Sequence, residues 1–322
     1  MSWLIIVLSL IAGSIMLYYG SEWLVRGAKG IALRLGVSPF VIGLTVVAFG
    51  SSAPECITSI VSTSNPSLII GNVVGSNIAN VGLAIGLASI AAPLAAKYKE
   101  IRIEMYAMVL SAFGLLVLAI LGYIGMWVGI ALILLLFVFL YMVFTRKKGD
   151  KDARAAYEDD VDDEEEEKFG TPLLAVLTVA GLVILYFGAR FFIDGAKGLA
   201  EALNVPELII GLIVVAIGTS LPEICISFMA ARRGEADLAV ANIVGSNIFN
   251  ILFVLGVGAS LVDIPVSESL LYYHLPVMII LTLAMFFVVR SKNRITRPYG
   301  LLFVGIYGVY IAIMAMVPSL MM

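Results

Sequence analysis

Two glutamates, Glu55 and Glu223, are the residues of this sequence best placed to do chemistry. Each stands well inside a long apolar run, in the settings Gly50-Ser51-Ser52-Ala53-Pro54-Glu55 and Gly218-Thr219-Ser220-Leu221-Pro222-Glu223. A carboxylate at the centre of a bilayer costs at least ~2.5 kcal/mol even on insertion scales, and without a partner it takes up a proton instead. No lysine, arginine or histidine lies deep in an apolar run to neutralise either one. The partner expected from this is a transported cation or a proton. The plainer alternative is a pair of protonated glutamates hydrogen-bonded inside a helix bundle, but both stand at equivalent positions among further oxygen donors.

Those donors have a definite spacing. Pro54 and Pro222 lack an N–H and clash with the carbonyl four residues back. The helix is therefore expected to loosen at each, freeing carbonyls near Ala48 to Ser51 and near Ala216 to Thr219. Ser51 and Ser52 precede Glu55 by four and three residues, so both can share its helix face. A second pair of segments reads Gly75-Ser76-Asn77-Ile78-Ala79-Asn80 and Gly245-Ser246-Asn247-Ile248-Phe249-Asn250. Ser76 and Asn80, like Ser246 and Asn250, are i,i+4 neighbours expected to face the glutamates, whereas Asn77 and Asn247 alone could be polar links between helices. Hydroxyls, carbonyls and carboxylates are hard oxygen ligands. They suit Ca2+, which takes about 6–8 oxygens at about 2.3–2.6 Å, and Na+ shares the preference.

The elements that must hold these groups are membrane helices. The chain is 61% hydrophobic and 13% charged, with a mean hydropathy of +1.06, against about 45–50% and about 25% in a soluble domain. It cannot cover itself with polar surface, which excludes a soluble globular protein, a disordered chain and a nucleic-acid binder. Ten apolar runs, at 3–25, 38–61, 68–92, 103–122, 125–145, 171–190, 206–229, 237–261, 271–290 and 298–317, each approach the ~20 residues that cross a bilayer core. None alternates as a barrel strand would, and the first lacks the basic flank and cleavage site of a signal peptide. The expected fold is an all-α membrane protein of ten transmembrane helices. Eighteen of the twenty Lys and Arg fall in one alternate set of connections and two, Arg190 and Lys197, in the other. Positive charge marks the cytoplasmic side, so both termini are expected outside.

A shift of 168 residues superimposes the sequence on itself without a gap from Tyr18 to Glu55. Gly43 to Glu55 (GLTVVAFGSSAPE) falls on Gly211 to Glu223 (GLIVVAIGTSLPE); two more residues of shift set Asn72 to Asn80 (NVVGSNIAN) on Asn242 to Asn250 (NIVGSNIFN). Each copy holds five spans, an odd number, so the second must enter the membrane from the opposite side. Inverted repeats of this kind place a binding site near the midplane of a secondary transporter. The expected division is a first five-helix repeat at 1–145, a cytoplasmic charged linker at 146–170 and a second five-helix repeat at 171–322.

The duplicated motif pair, SSAPE/TSLPE followed by GSNIAN/GSNIFN, resembles the paired repeats of the sodium/calcium exchangers within the calcium/cation antiporter superfamily, over essentially the whole chain. The resemblance implies that metal-ligand positions fall on Ala48 (carbonyl), Ser51, Ser52, Glu55, Ser76 and Asn80, and on Ala216 (carbonyl), Thr219, Ser220, Glu223, Ser246 and Asn250. It also implies that the first and sixth helices slide as a pair across the other eight. Some relatives, notably the potassium-dependent exchangers, carry aspartate at the position of Asn250. Two asparagines here leave two formal charges, which favours one Ca2+, or two to three Na+ in its place, and implies exchange independent of K+. The proton-coupled relatives usually have Gly-Asn-x-x-Glu where this chain has Ser-Ser-Ala-Pro-Glu and Thr-Ser-Leu-Pro-Glu.

The function expected is thus a secondary antiporter of Na+ and Ca2+ working by alternating access, with a Ca2+/H+ antiporter on the same fold as the alternative. An enzyme is not expected: an intramembrane hydrolase at Ser51 or Ser52 would need a base beside the serine, and the single histidine, His274, is assigned to an outer loop. A channel would need a ring of subunits that one inverted pair does not supply. No cofactor and no protein partner is implied, and a monomer in a prokaryotic cell membrane is expected to function. The linker holds nine acids between Glu158 and Glu167 and reads as a solvated tether. Cys56 and Cys225 read as small buried apolar residues, and Glu22 and Arg26 as an i,i+4 ion pair.

Overall fold

The computed structural model describes residues 2–35, 37–122, 124–147, 170–203, 218 and 220–317. Among these, nine helices are long and apolar enough to cross a membrane. They are α1 (Trp3–Leu35), α2 (Pro39–Ser64), α3 (Ser67–Ala91), α4 (Tyr98–Leu121), α5 (Met126–Lys147), α6 (Thr171–Ala202), α8 (Ala236–Leu261), α9 (Leu270–Lys292) and α10 (Arg297–Met316). Between α6 and α8 lies α7 (Leu221–Arg232), the described part of the seventh expected span. The linker from 148 to 169 lies outside the described residues.

Two of the expected boundaries change. α1 and α6 run for 33 and 32 residues, or about 50 Å at about 1.5 Å per residue, well beyond the ~30 Å of a bilayer core. Arg26, Lys29 and Arg34 therefore ride on α1, and Arg190 and Lys197 on α6, rather than in connections. His274 is likewise not in a loop. It closes a wide π-turn, Leu270–His274, that opens α9, and its Nδ1 lies 2.9 Å from the Tyr310 hydroxyl.

α1 and α6 pack antiparallel along a seam of glycines spaced seven apart: Gly13, Gly20 and Gly27 on one, Gly181, Gly188 and Gly195 on the other. A Cβ at Gly13 would meet Phe192 main chain at 2.5 Å, at Gly20 Leu185 N at 2.9 Å, and at Gly27 Leu174 O at 2.8 Å. The second triad touches Leu24, Met16 and Leu10 in turn. Moving each pair by 168 residues converts one set of contacts into the other: Gly20 against Leu185 becomes Gly188 against Leu17. An interface that is its own image when its helices exchange roles has a two-fold axis across it, as an inverted repeat demands. Small residues are what allow helices to approach this closely where lipid gives no hydrophobic drive.

The same relation holds elsewhere. Gly86 and Gly300 bring α3 against α10, and Gly256 and Gly129 bring α8 against α5. β1 (Leu94–Ala95) pairs antiparallel with β2 (Arg294–Ile295), and the bridge Ile124–Ile264 repeats that link between the other two connections. α8 is the most enclosed span, 94% buried over its apolar window, against 28% for α1, α5 and α10. α1 is fastened at its polar end to the turn between α7 and α8: Lys29 Nζ lies 2.8 Å from Glu235, and Glu22 pairs with Arg233 as well as with Arg26 at 3.8 Å. Gly234 in that turn has φ of 80°, a backbone region that side chains other than glycine rarely adopt.

Replacing Gly20 by Val should force α1 and α6 apart and cost about 1–3 kcal/mol, as overpacking does. Gly114→Ala, where a Cβ meets nothing within 4 Å, should be neutral. Thermal unfolding of both variants in detergent checks this: Gly20→Val should melt clearly below wild type and Gly114→Ala should not.

Candidate cation site

Glu55 and Glu223 reach the centre of the molecule by the same local device. α2 is interrupted at Ser52 (φ −84°, ψ 5°) and restarts as Ala53–Val61 with Pro54 in its first turn. At Ser220 (φ −89°, ψ 5°) the chain bends in the same way, and α7 starts at Leu221 with Pro222. Each proline thus stands where its missing N–H costs nothing. Each glutamate becomes the third residue of a new helix, and the partial positive charge of a helix N-terminus favours an anion there. Both side chains are completely buried. Among the described residues no lysine or arginine pairs with either, and no third His, Cys, Asp or Glu joins them in a metal-holding group.

The expected donors converge. Ser52 Oγ donates to Glu223 Oε1 at 3.3 Å, across the repeats, and Ser76 Oγ donates to Glu55 Oε1 at 3.5 Å. Ser51 Oγ lies 3.5 Å from Ser246 Oγ and 3.3 Å from the Ala48 carbonyl. These contacts are long against the ~2.7–2.8 Å of a firm O–H···O bond, so the hydroxyls are not locked onto one another. The Ala48 carbonyl also accepts the Ser52 N–H at 3.1 Å, so this carbonyl is already engaged, and α2 also widens just before it, in the π-turn Gly43–Val47. Ser220 Oγ is buried and has no partner. Ala216 and Thr219 lie outside the described residues.

α3 and α8 each widen into a π-turn at the equivalent asparagine, Asn80–Ile85 and Asn250–Val254. Such turns recur at functional sites. Asn80 Nδ2 donates to Asn247 Oδ1 at 3.0 Å, and Asn250 Nδ2 donates to Asn77 Oδ1 at 3.1 Å. Four buried acceptor oxygens then have no donor among the described residues: Glu55 Oε2, Glu223 Oε2, Asn80 Oδ1 and Asn250 Oδ1. An acceptor buried without a partner is expensive. Two carboxylate and two amide oxygens, with serine hydroxyls beside them, are the set a hard cation would satisfy.

The sequence reading passed over a second polar layer. Asn242 Nδ2 donates to Ser227 Oγ at 3.0 Å and Asn242 Oδ1 accepts from Ser51 Oγ at 3.4 Å. The repeat mates of that pair, Asn72 Nδ2 and Ser59 Oγ, have no partner among the described residues. The signal was present, because Asn72 and Asn242 open the matched segments and Ser59 and Ser227 each lie four residues beyond a glutamate. Glu104 was also missed as a buried acid: it lies in α4 and is 1% exposed.

A sequence model described as sodium/calcium exchanger protein matches residues 5–145 and 173–316. The chain belongs to the sodium/calcium exchanger family. The exchanger is 32% identical to a sodium/calcium exchanger of Methanosarcina acetivorans, with 95% of this chain and 97% of that one covered. It is 35% identical to an uncharacterized membrane protein of Methanocaldococcus jannaschii, over 94% and 96% of the two chains. Its structure is similar to that of the sodium-calcium exchanger NCX_Mj soaked with Na+ and Ca2+, at a TM-score of 0.82 and 32% identity, covering 97% of this chain and 99% of that one. The exchanger is therefore a multi-pass transporter of ten helices in two inverted repeats, built for cation exchange and not an enzyme.

The Ser51–Ser246 contact ties α2 to α8 across the repeats and gives a direct check of the geometry. In a background with Cys56 and Cys225 replaced by alanine, Ser51→Cys with Ser246→Cys should oxidise to a disulfide. After proteolysis within the 146–170 segment, the halves should stay joined on a non-reducing gel and separate when reduced.

Proposed function

We propose that the exchanger extrudes Ca2+ using inward Na+, without K+, by alternating access at one central site. The observation that carries this reading is the group of four donorless buried oxygens on Glu55, Glu223, Asn80 and Asn250. A cation would satisfy all four together, and their two formal charges match one Ca2+, with two to three Na+ in its place. The metal ligands in this reading are Ala48 (carbonyl), Ser51, Ser52, Glu55, Ser76 and Asn80, with Ala216 (carbonyl), Thr219, Ser220, Glu223, Ser246 and Asn250 from the other repeat. Loading with either ion neutralises the site, which lets it pass between openings to the two sides.

The two halves differ in a way that supports alternation. Asn242 and Ser227 are bonded while Asn72 and Ser59 are not, although symmetry would make them alike. In an inverted-repeat transporter, exchange of such arrangements between the halves moves access from one side to the other. The helices expected to move are α1 and α6, whose glycine seam makes them one packed pair. The Lys and Arg distribution supports both termini outside and the linker inside, in a prokaryotic cell membrane, with the monomer as the working unit. Residues 1–145 and 171–322 act as the repeats, joined by the charged linker at 146–170.

Ca2+ uptake into proteoliposomes under separately imposed Na+, K+ and H+ gradients tests the coupling. A Na+ gradient should drive uptake, K+ should leave it unchanged, and H+ alone in Na+-free medium should not drive it. Uptake driven by a pH gradient without Na+ would establish Ca2+/H+ antiport instead. Glu55→Gln or Glu223→Gln should lower exchange on the order of 100-fold, since each removes a buried charge from a charge-assisted contact. Wild-type rates in either variant would overturn the site.

A further inference from the structure

The cation site needs the asparagine oxygens, yet an asparagine can present either end. Its amide carries an acceptor, Oδ1, and a two-proton donor, Nδ2, of almost the same shape. Turned one way, Asn80 and Asn250 offer an oxygen to a cation; turned the other, they offer two N–H groups that repel it. Both residues are completely buried, so whichever neighbour binds Nδ2 decides which end faces the site.

Those neighbours are Asn247 and Asn77. Asn250 Nδ2 is held at 3.1 Å by Asn77 Oδ1, and Asn80 Nδ2 at 3.0 Å by Asn247 Oδ1. The two bonds are images of each other under the 170-residue shift and both cross between the repeats. The holders are themselves held. Asn77 Nδ2 donates to the main-chain carbonyl of Asn247 at 3.2 Å. That carbonyl cannot rotate to offer a donor, and it lies beside the π-turn that opens at Asn250. Among the described residues, Asn247 Nδ2 has only the thioether sulfur of Met108, at 3.8 Å, a weak acceptor. One chain of amides thus ends on a fixed backbone oxygen and the other on a soft sulfur.

We propose that Asn77 and Asn247 are positioning residues that fix the amide orientation of Asn250 and Asn80, so that both turn their carbonyl oxygens to the cation. The Asn77–Asn250 arm is the firmer, because its last acceptor is part of the backbone. The inference rests on the central site being the cation site and assigns Asn77 and Asn247 no contact with the ion.

A carboxylate has an oxygen at both ends and cannot be turned the wrong way. Aspartate at position 250 should therefore make position 77 unimportant, which a structural role for Asn77 would not predict. Ca2+ binding is measured by isothermal titration of the purified full chain for wild type, Asn77→Leu, Asn250→Asp and the double variant. Asn77→Leu should weaken binding about tenfold with Asn250 present, the upper scale of one lost hydrogen bond between neutral groups. In the Asn250→Asp background it should weaken binding less than about threefold, a coupling that a double-mutant cycle reads directly. Equal losses in both backgrounds would overturn the proposal while leaving the cation site standing. The site itself fails if Glu55→Gln and Glu223→Gln both bind Ca2+ as wild type does. Should Asn77→Leu not fold, the other arm is tested with Met108→Leu, a nearly volume-conserving change. It should lower Ca2+ affinity by about two- to fivefold with Asn80 present and leave it unchanged with Asn80→Asp. Equal effects in the two backgrounds, or none in either, would overturn the proposal in turn.

Discussion

Two carboxylates buried in a membrane protein with no basic partner set the terms for everything around them. The cost of holding a charge in a low-dielectric interior is several kcal/mol, and two features of the fold reduce it together. Glu55 and Glu223 each start a helix, so a helix N-terminus faces each one. Serine hydroxyls lean toward them from the opposite repeat and the neighbouring helix. Among the described residues, no donor meets Glu55 Oε2, Glu223 Oε2, Asn80 Oδ1 or Asn250 Oδ1. A lysine beside them would have stabilised the site permanently and made it useless for exchange. In the function proposed above, the site is kept short of positive charge so that a mobile cation can supply it.

The inverted repeat makes this arrangement possible with little sequence. One device, a bend at Ser52 or Ser220 followed by proline and glutamate, is used twice from opposite sides. One hydrogen bond between asparagine side-chain amides is also used twice, and both copies cross between the repeats. The glycine seam of α1 and α6 follows the same rule, with contacts that reproduce themselves when the helices exchange roles. Departures from symmetry are correspondingly informative. Asn242 bonds Ser227 while Asn72 and Ser59 stay apart, and Asn77 rests on a carbonyl while Asn247 rests on a thioether. Matched residues in two local states are what a bistable transporter requires.

Much of this was legible in the sequence because lipid narrows the choices. With no water to satisfy a backbone, apolar runs must be helices. A glutamate inside one is costly enough to imply a function, and a proline one residue before it implies a break. The repeat in register placed the second site once the first was recognised. Boundaries were less legible. α1 continues past its apolar run through Arg26, Lys29 and Arg34 because those long side chains find acids or solvent at its end, as Lys29 does with Glu235, and hydropathy alone ends a helix too early. His274 was misplaced for a related reason: its ring is half-buried against Tyr310 inside a helix, although its neighbours read as a connection.

By itself, the sequence determined the helical class, the duplication and the place of the two buried glutamates, because each follows from local cost: apolar length, motif register and the penalty on a buried carboxylate. Tertiary structure alone decided which atoms point where. Asn77 and Asn80 are the same residue type three positions apart, and nothing in spacing says that one aims its amide at the other repeat while the second keeps a free oxygen. That outcome depends on helices 170 residues apart in sequence meeting at the centre, and amide orientation is set by the partner found there.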